Sequence, residues 1–170
     1  MKPIGLFYSF NTRHTSDAAD RIAKELGENN IDKINIETIE GEVFLAYPYM
    51  ILGVSTWFDG ELPNYWDEFL PAMESMDFTG KTIALFGPAD QKGYPQNFAD
   101  GIGILADFLR SRGATIAGHY PAKDYHFIRS RALEEEHFIG LVLDYANQPE
   151  LTERRIREWC ALLKKKFKLR

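Results

Sequence analysis

The sequence predicts an α/β fold: a doubly wound, five-stranded parallel sheet in the strand order 2-1-3-4-5. Two observations carry this. Short, continuously apolar runs alternate with segments whose apolar residues recur at helical spacing, the pattern of a parallel sheet covered on both faces. Only one strand-like segment, the second, alternates polar and apolar residues, which places it at an edge and favours this order over a six-stranded dinucleotide fold.

The elements follow in order. Ile4 to Tyr8 reads as a strand buried on both faces. Ala18, Ala19, Ile22, Ala23 and Leu26 form one stripe of a helix that starts near Thr15 and stops at Gly27. Lys33 to Glu37 alternates as an edge strand with one wet face. Tyr49 to Val54 is a second buried strand, and Trp66, Phe69, Leu70 and Met73 share the face of one following helix. Thr82 to Phe86 is the third buried strand, followed by a helix carrying Phe98, Ile102, Leu105, Phe108 and Leu109. Ala114 to Gly118 and Phe138 to Leu143 read as strands. Thr152 is expected to cap a last helix carrying Ile156, Trp159, Leu163 and Phe167. Gly101-Ile102-Gly103 lies within a helix and reads as packing, not as a dinucleotide fingerprint.

Composition narrows the function. A hydrophobic content of 45% with 26% charged residues is that of a globular domain, and a net charge of −5 argues against a nucleic-acid partner. No apolar run reaches the length of a membrane span, and Met1-Lys2-Pro3 leads straight into a strand, so a cytoplasmic, monomeric protein without a membrane partner is expected. The single cysteine, Cys160, excludes an internal disulfide and sits at core spacing with Ile156, Trp159 and Leu163. His119, His126 and His137 lack metal-ligand spacing. The basic residues Arg154, Arg155 and Arg157, then Lys164, Lys165, Lys166, Lys168 and Arg170, read as a solvated helix face with favourable charge at its end.

In such sheets ligands lie beyond the carboxyl ends of the strands, where the strand order reverses. That singles out three loops. The first holds Phe10, Asn11, Thr12, Arg13, His14 and Thr15 between a strand and a helix, where free backbone N–H groups, the helix dipole and hydroxyls make an anion seat. The second holds Ser55, Thr56, Trp57, Phe58, Asp59 and Gly60, whose aromatics suit the face of a flat ring and whose glycine lets a peptide reorient. The third holds Gly87, Pro88, Ala89, Asp90, Tyr94 and Asn97. Here Tyr94 suits the opposite ring face, each aromatic contact adding about 0.5–1.5 kcal/mol beyond burial, and Asp90 with backbone amides suits a ring edge.

On these residues the chain resembles a flavodoxin of the long-chain type. The likeness runs through Ile4-Gly5-Leu6-Phe7-Tyr8, Thr56-Trp57 with Gly60-Glu61-Leu62, Asp90-Gln91 with Gly93-Tyr94, Asn97-Phe98, Gly101-Ile102-Gly103, Arg112-Gly113, Phe138-Ile139-Gly140-Leu141, Leu143-Asp144 and Asn147-Gln148. It implies one flavodoxin-like domain over residues 1–170, with 120–137 as an insertion that splits the last strand. It also implies non-covalent FMN, a low-potential one-electron carrier with no catalytic residue, a flavodoxin reductase-type donor and redox acceptor enzymes. The phosphate would lie in residues 10–15, the isoalloxazine between Trp57 and Tyr94, and the Phe58–Asp59 peptide at the flavin N5. Asp59, Glu61, Asp90 and Asp144, taken singly, read as a solvated rim whose summed field disfavours an anionic reduced flavin.

The chain departs from the family's phosphate loop, which runs Ser or Thr, any residue, Thr, Gly, any residue, Thr. Phe10 loses a hydroxyl, and Arg13 stands where the glycine belongs. A left-handed conformation there would cost arginine roughly 1–2 kcal/mol, while its guanidinium, with His14, offers charged donors to a phosphate. Pro88 removes an N–H from the loop expected to read the ring edge. A module with weakened or lost FMN binding and a flavodoxin-like quinone reductase are the alternative readings. A phosphoacceptor receiver domain is excluded, because the third strand ends in Val54-Ser55 where such a domain needs an aspartate.

Overall fold

The computed structural model describes residues 1–169. Its central sheet runs β2-β1-β3-β4-β5, from β1 (Ile4–Tyr8), β2 (Ile31–Asn35), β3 (Tyr49–Gly53), β4 (Thr82–Pro88) and β5 (Thr115–Ala117). All pairings are parallel, with Ile4 opposite Tyr49 and Tyr49 opposite Thr82. The strand beyond β4 is split as expected: β5 pairs with Thr82–Ala84 and β9 (Leu141–Leu143) with Phe86–Pro88. Between them β6 (Tyr120–Pro121), β7 (Leu133–Glu134) and β8 (His137–Phe138) form a small antiparallel sheet in the order β6-β8-β7.

Strand residues alternate between two cores, because successive side chains of a strand point to opposite faces. Leu6, Ile51, Ala84 and Phe86 face α1 (His14–Leu26) and α6 (Thr152–Lys166), packing on Ile22 and Trp159. Phe7, Leu52, Ile83 and Leu85 face the other side, against Phe44 of α2 (Gly41–Phe44), Trp66 of α3 (Asn64–Asp67), Met73 of α4 (Leu70–Met73) and Leu105 of α5 (Asp100–Ser111). Gly27 ends α1 at φ 90, a conformation open to glycine.

Several expectations need correction. The edge strand is Ile31–Asn35, not 33–37: the Asn35 side chain accepts the Glu37 N–H (3.3 Å) and turns the chain. The helix expected over residues 66–73 is two short turns, since Pro71 has no N–H for the next rung. Phe98 precedes α5, which begins after Ala99 in a left-handed conformation (φ 55). The run 138–143 breaks at Ile139-Gly140 between β8 and β9. A 3-10 turn at Pro149–Leu151 leads into α6, and Thr152 is its first residue, without a capping bond. Pro88 closes β4 opposite Leu143 and so lies in a strand, not in the loop. Arg155 is not solvated: it is 1% exposed, its guanidinium carbon 3.9 Å from the Tyr125 ring centroid. Arg170 of the basic tail lies outside the described residues.

Cys160 packs in the core as expected, and burial pushes its thiol up to about 12. Among the described residues no helix is long and apolar enough to cross a membrane. The Gly-x-Gly pair in α5 is a packing device: a Cβ on Gly103 would stand 2.2 Å from the Arg131 carbonyl oxygen. Gly103→Ala should therefore lift the insertion off α5 and lower unfolding stability by about 1–3 kcal/mol. Urea denaturation would check this.

Candidate functional site

The ends of β1, β3 and β4 bring the three loops to one edge of the sheet. At the first, β1 stops at Tyr8 and α1 starts at His14. The first bond of the helix runs from Asp17 N to Arg13 O (3.1 Å). Among the described residues, the N–H groups of Arg13, His14, Thr15 and Ser16 have no backbone acceptor, the free donors every helix start presents. Hydroxyls surround them. Thr12 Oγ1 donates to Ser9 O (2.8 Å) and lies 3.2 Å from Ser16 Oγ. Thr15 Oγ1 lies 3.3 Å from Ser55 Oγ, which lies 3.3 Å from the Tyr65 hydroxyl.

Arg13 adopts φ −89, ψ −62, an ordinary right-handed conformation. The replacement of glycine thus carries no left-handed cost, and the exposed guanidinium adds positive charge at the helix start. The His14 imidazole stacks on Tyr145 (centroids 4.4 Å apart), whose hydroxyl donates to Asp17 Oδ2 (2.9 Å). Phe10 is 48% exposed and leans on Tyr8.

The second loop is a tight hairpin. Trp57 and Glu61 exchange both backbone bonds (2.8 and 2.7 Å), and Gly60 N donates to Phe58 O (2.8 Å). Phe58 sits at φ 42 with its ring 76% exposed, and Gly60 at φ 88. A Cβ on Gly60 would stand 2.6 Å from Asp100 Oδ2. Thr56 turns inward, its Oγ1 accepting from Gly101 N (2.9 Å) at the start of α5.

The third loop is built around carboxylates. Asp90 Oδ1 accepts from Gly93 N (2.8 Å), Lys92 N (3.1 Å) and Asn147 Nδ2 (2.7 Å). The Gly93 bond, aided by Asn147 and Lys92, holds the Asp90 carboxyl below the usual aspartate range. Asp144 is fully buried and accepts from Gln91 N (3.1 Å), Gln91 Nε2 (2.8 Å) and Asn147 N (3.0 Å). Asp144 is therefore a structural anchor and no part of a solvated rim, whereas Asp59 and Glu61 are exposed. Tyr94 stands 59% exposed. Thr56, Ala89, Asp90, Tyr94, Asn97, Phe98 and Ala99 line a cavity of only 20 Å³. A ring system would lie across the exposed faces of this edge, not inside it.

Gly87, too, is packed: a Cβ there would overlap the Val54 carbonyl oxygen. The sequence alone does not single out Ser9, Ser16, Tyr65 or Asn147 as contributors. Ser9 and Ser16 flank the hydroxyl loop, and their hydroxyls are the signal that could mark them. Tyr65 arrives from a distant segment with no local pattern to mark it, and Asn147 stands in the sequence only as part of the family likeness, without a role.

Free N–H groups and hydroxyls at a switch point, flanked by exposed aromatics, have the chemistry of an anion seat on a doubly wound sheet. Comparison with known proteins narrows it. A sequence profile of the family described as Flavodoxin matches residues 6–159. Flavodoxin from Klebsiella pneumoniae is 41% identical over 160 residues, 94% of this chain and 91% of that protein. Flavodoxin 1 of Escherichia coli strain K12 is 40% identical over 166 residues, 97% of this chain and 94% of that protein. The crystal structure of Fusobacterium nucleatum flavodoxin bound to flavin mononucleotide superposes with a TM-score of 0.91 at 34% identity, covering 98% of this chain and 99% of that one. The chain belongs to the flavodoxin family.

Phe58 holds a left-handed backbone conformation that glycine would adopt without strain. Phe58→Gly relieves about 1–2 kcal/mol of backbone strain and loses some of that gain to unfolded-chain entropy. Little packing is lost with so exposed a ring. The ligand-free variant should be more stable by about 0.5–1 kcal/mol, read as a raised midpoint in chemical denaturation.

Proposed function

We propose that this chain is a low-potential one-electron carrier that holds FMN without a covalent bond and passes electrons between a reductase-type donor and acceptor enzymes. FMN supplies the redox chemistry, and the protein binds it, orients it and sets its electrostatics. The observation that carries the reading is the set of free N–H groups at Arg13–Ser16, ringed by Thr12, Thr15 and Ser55 and set beside half-buried Trp57 and exposed Phe58 and Tyr94.

In this reading the first loop, Phe10 to Thr15, holds the phosphate. Its anion affinity comes from the helix start, and Arg13 supplies a charged fork. Trp57 and Tyr94 would hold the two ring faces, with Ser55, Thr56 and Asn97 beside them, and Asp90 with Ala89 would shape the loop at the ring edge, just beyond Gly87 and Pro88 at the end of β4. The Phe58–Asp59 peptide would stand at the flavin N5. Its carbonyl accepts the Gly60 N–H, so offering that carbonyl to a flavin N–H would require giving up this bond, a reorientation that Gly60 would tolerate. Asp59 and Glu61 place negative charge where an anionic reduced flavin would have to form, which lowers the corresponding potential. A monomeric, cytoplasmic protein belongs to the same reading, and a lone buried cysteine suits a reducing compartment. The reading as a module that has lost FMN gains no support from the loop, since its N–H groups remain free and Arg13 is unstrained.

The visible spectrum of the purified protein tests this. Bound-flavin bands, or their appearance with quenched fluorescence when FMN is added to apoprotein, are expected, with a transient long-wavelength band at half reduction. A colourless protein that leaves FMN fluorescence unchanged would overturn the assignment.

A further inference from the structure

The chain brings a carboxylate of its own to the loop that begins the anion seat. Ser9 is 1% exposed, and its hydroxyl donates to Glu37 Oε1. Asn11 Nδ2 donates to both Glu37 oxygens (3.3 and 3.4 Å), while Asn11 N donates to Ser9 Oγ (3.2 Å). The same turn holds the loop a second time, for Asn35 Oδ1 accepts from Phe10 N (3.3 Å). The charge is also felt at the inner end of the seat. The Tyr65 hydroxyl, which meets Ser55 and through it Thr15, is pushed up chiefly by burial and further by Glu37.

An exposed carboxylate that clasps a loop is often no more than a clasp. Here the clasped residues, Ser9 and Asn11, lie immediately before the free N–H groups of Arg13–Ser16, and they are donors a phosphate would also seek. We propose that Glu37 sets the phosphate selectivity of the seat. Its carboxylate occupies the Ser9 and Asn11 donors and repels the phosphate charge, so the chain favours FMN over riboflavin less than the same seat would with a neutral residue. Arg13 works in the opposite direction, and the affinity of the seat is the balance of the two. The inference rests on the proposed FMN function.

The test is Glu37→Gln, which keeps the shape and a hydrogen-bonding oxygen and removes the charge. Dissociation constants for FMN and for riboflavin would be measured by flavin fluorescence with apoprotein, at low and at high salt. FMN affinity should rise roughly three- to tenfold, riboflavin affinity should hold, and the gain should shrink at high salt because exposed charges are screened. Equal shifts for both flavins would mean that Glu37 only shapes the loop, and no shift for either would mean that its charge is not felt. Both results overturn the inference and leave the FMN reading intact. Failure of both proteins to bind FMN would remove that reading and this inference with it.

Discussion

The parallel pairing of β1 with β3, and of β3 with β4, is the constraint on which the rest of the molecule depends. Parallel neighbours start at a common level, with Ile4, Tyr49 and Thr82 side by side. Their carboxyl ends therefore come out together, and the chain must leave each one through a loop at the same edge. Residues 9–13, 54–63 and 89–99 become neighbours for that reason alone. The crossovers needed to return to the other end cover both faces of the sheet and bury it. The strands can then be apolar throughout, as β1 is, with five buried residues in a row.

The loops share bonds as well as an edge. Thr15 of the first meets Ser55 of the second, and Thr56 of the second bonds Gly101 at the start of α5. The third is tied to the last segment by Asp90–Asn147 and Asp144–Gln91. The insertion is fixed to the same group, since Ile128 and Arg129 both donate to Pro95 O and Arg131 donates to Asp100 Oδ1. Carboxylates thus do two separate things at this edge. Buried or saturated ones (Asp144, Asp90, Asp100) hold loops in place, and exposed ones (Asp59, Glu61, Glu37) set the local field, Glu37 while also clasping Ser9 and Asn11. Only the second kind is free to act on a bound anion or on a flavin whose charge changes.

The architecture is readable in the sequence because β1, β3 and β4 are buried on both faces, and an uninterrupted apolar run between helical stripes suits little besides a covered parallel strand. Boundaries are harder to read where one residue decides them. Asn35 ends β2 early through its side chain, Pro71 breaks a helix that spacing alone would continue, and Gly140 splits a strand that looks continuous. The convergence of three loops follows from the strand order, but the division of labour within them does not. Asp144 and Asp90 have the look of surface acids until the Gln91 and Asn147 partners are seen. Arg155 belongs to a basic run by sequence and lies under Tyr125 in the fold. Glu37 carries no signal, being a polar residue after an edge strand, and its contact with Ser9 spans 28 positions.

In the proposed FMN reading, the start of α1 anchors the cofactor. Backbone amide resonances followed through a titration of the apoprotein with FMN report on that anchor. The largest shifts are expected at the N–H groups of Arg13, His14, Thr15 and Ser16, saturating together with those of the Trp57–Gly60 and Asp90–Asn97 loops. Shifts confined to the two aromatic loops, with Arg13–Ser16 unmoved, would contradict it.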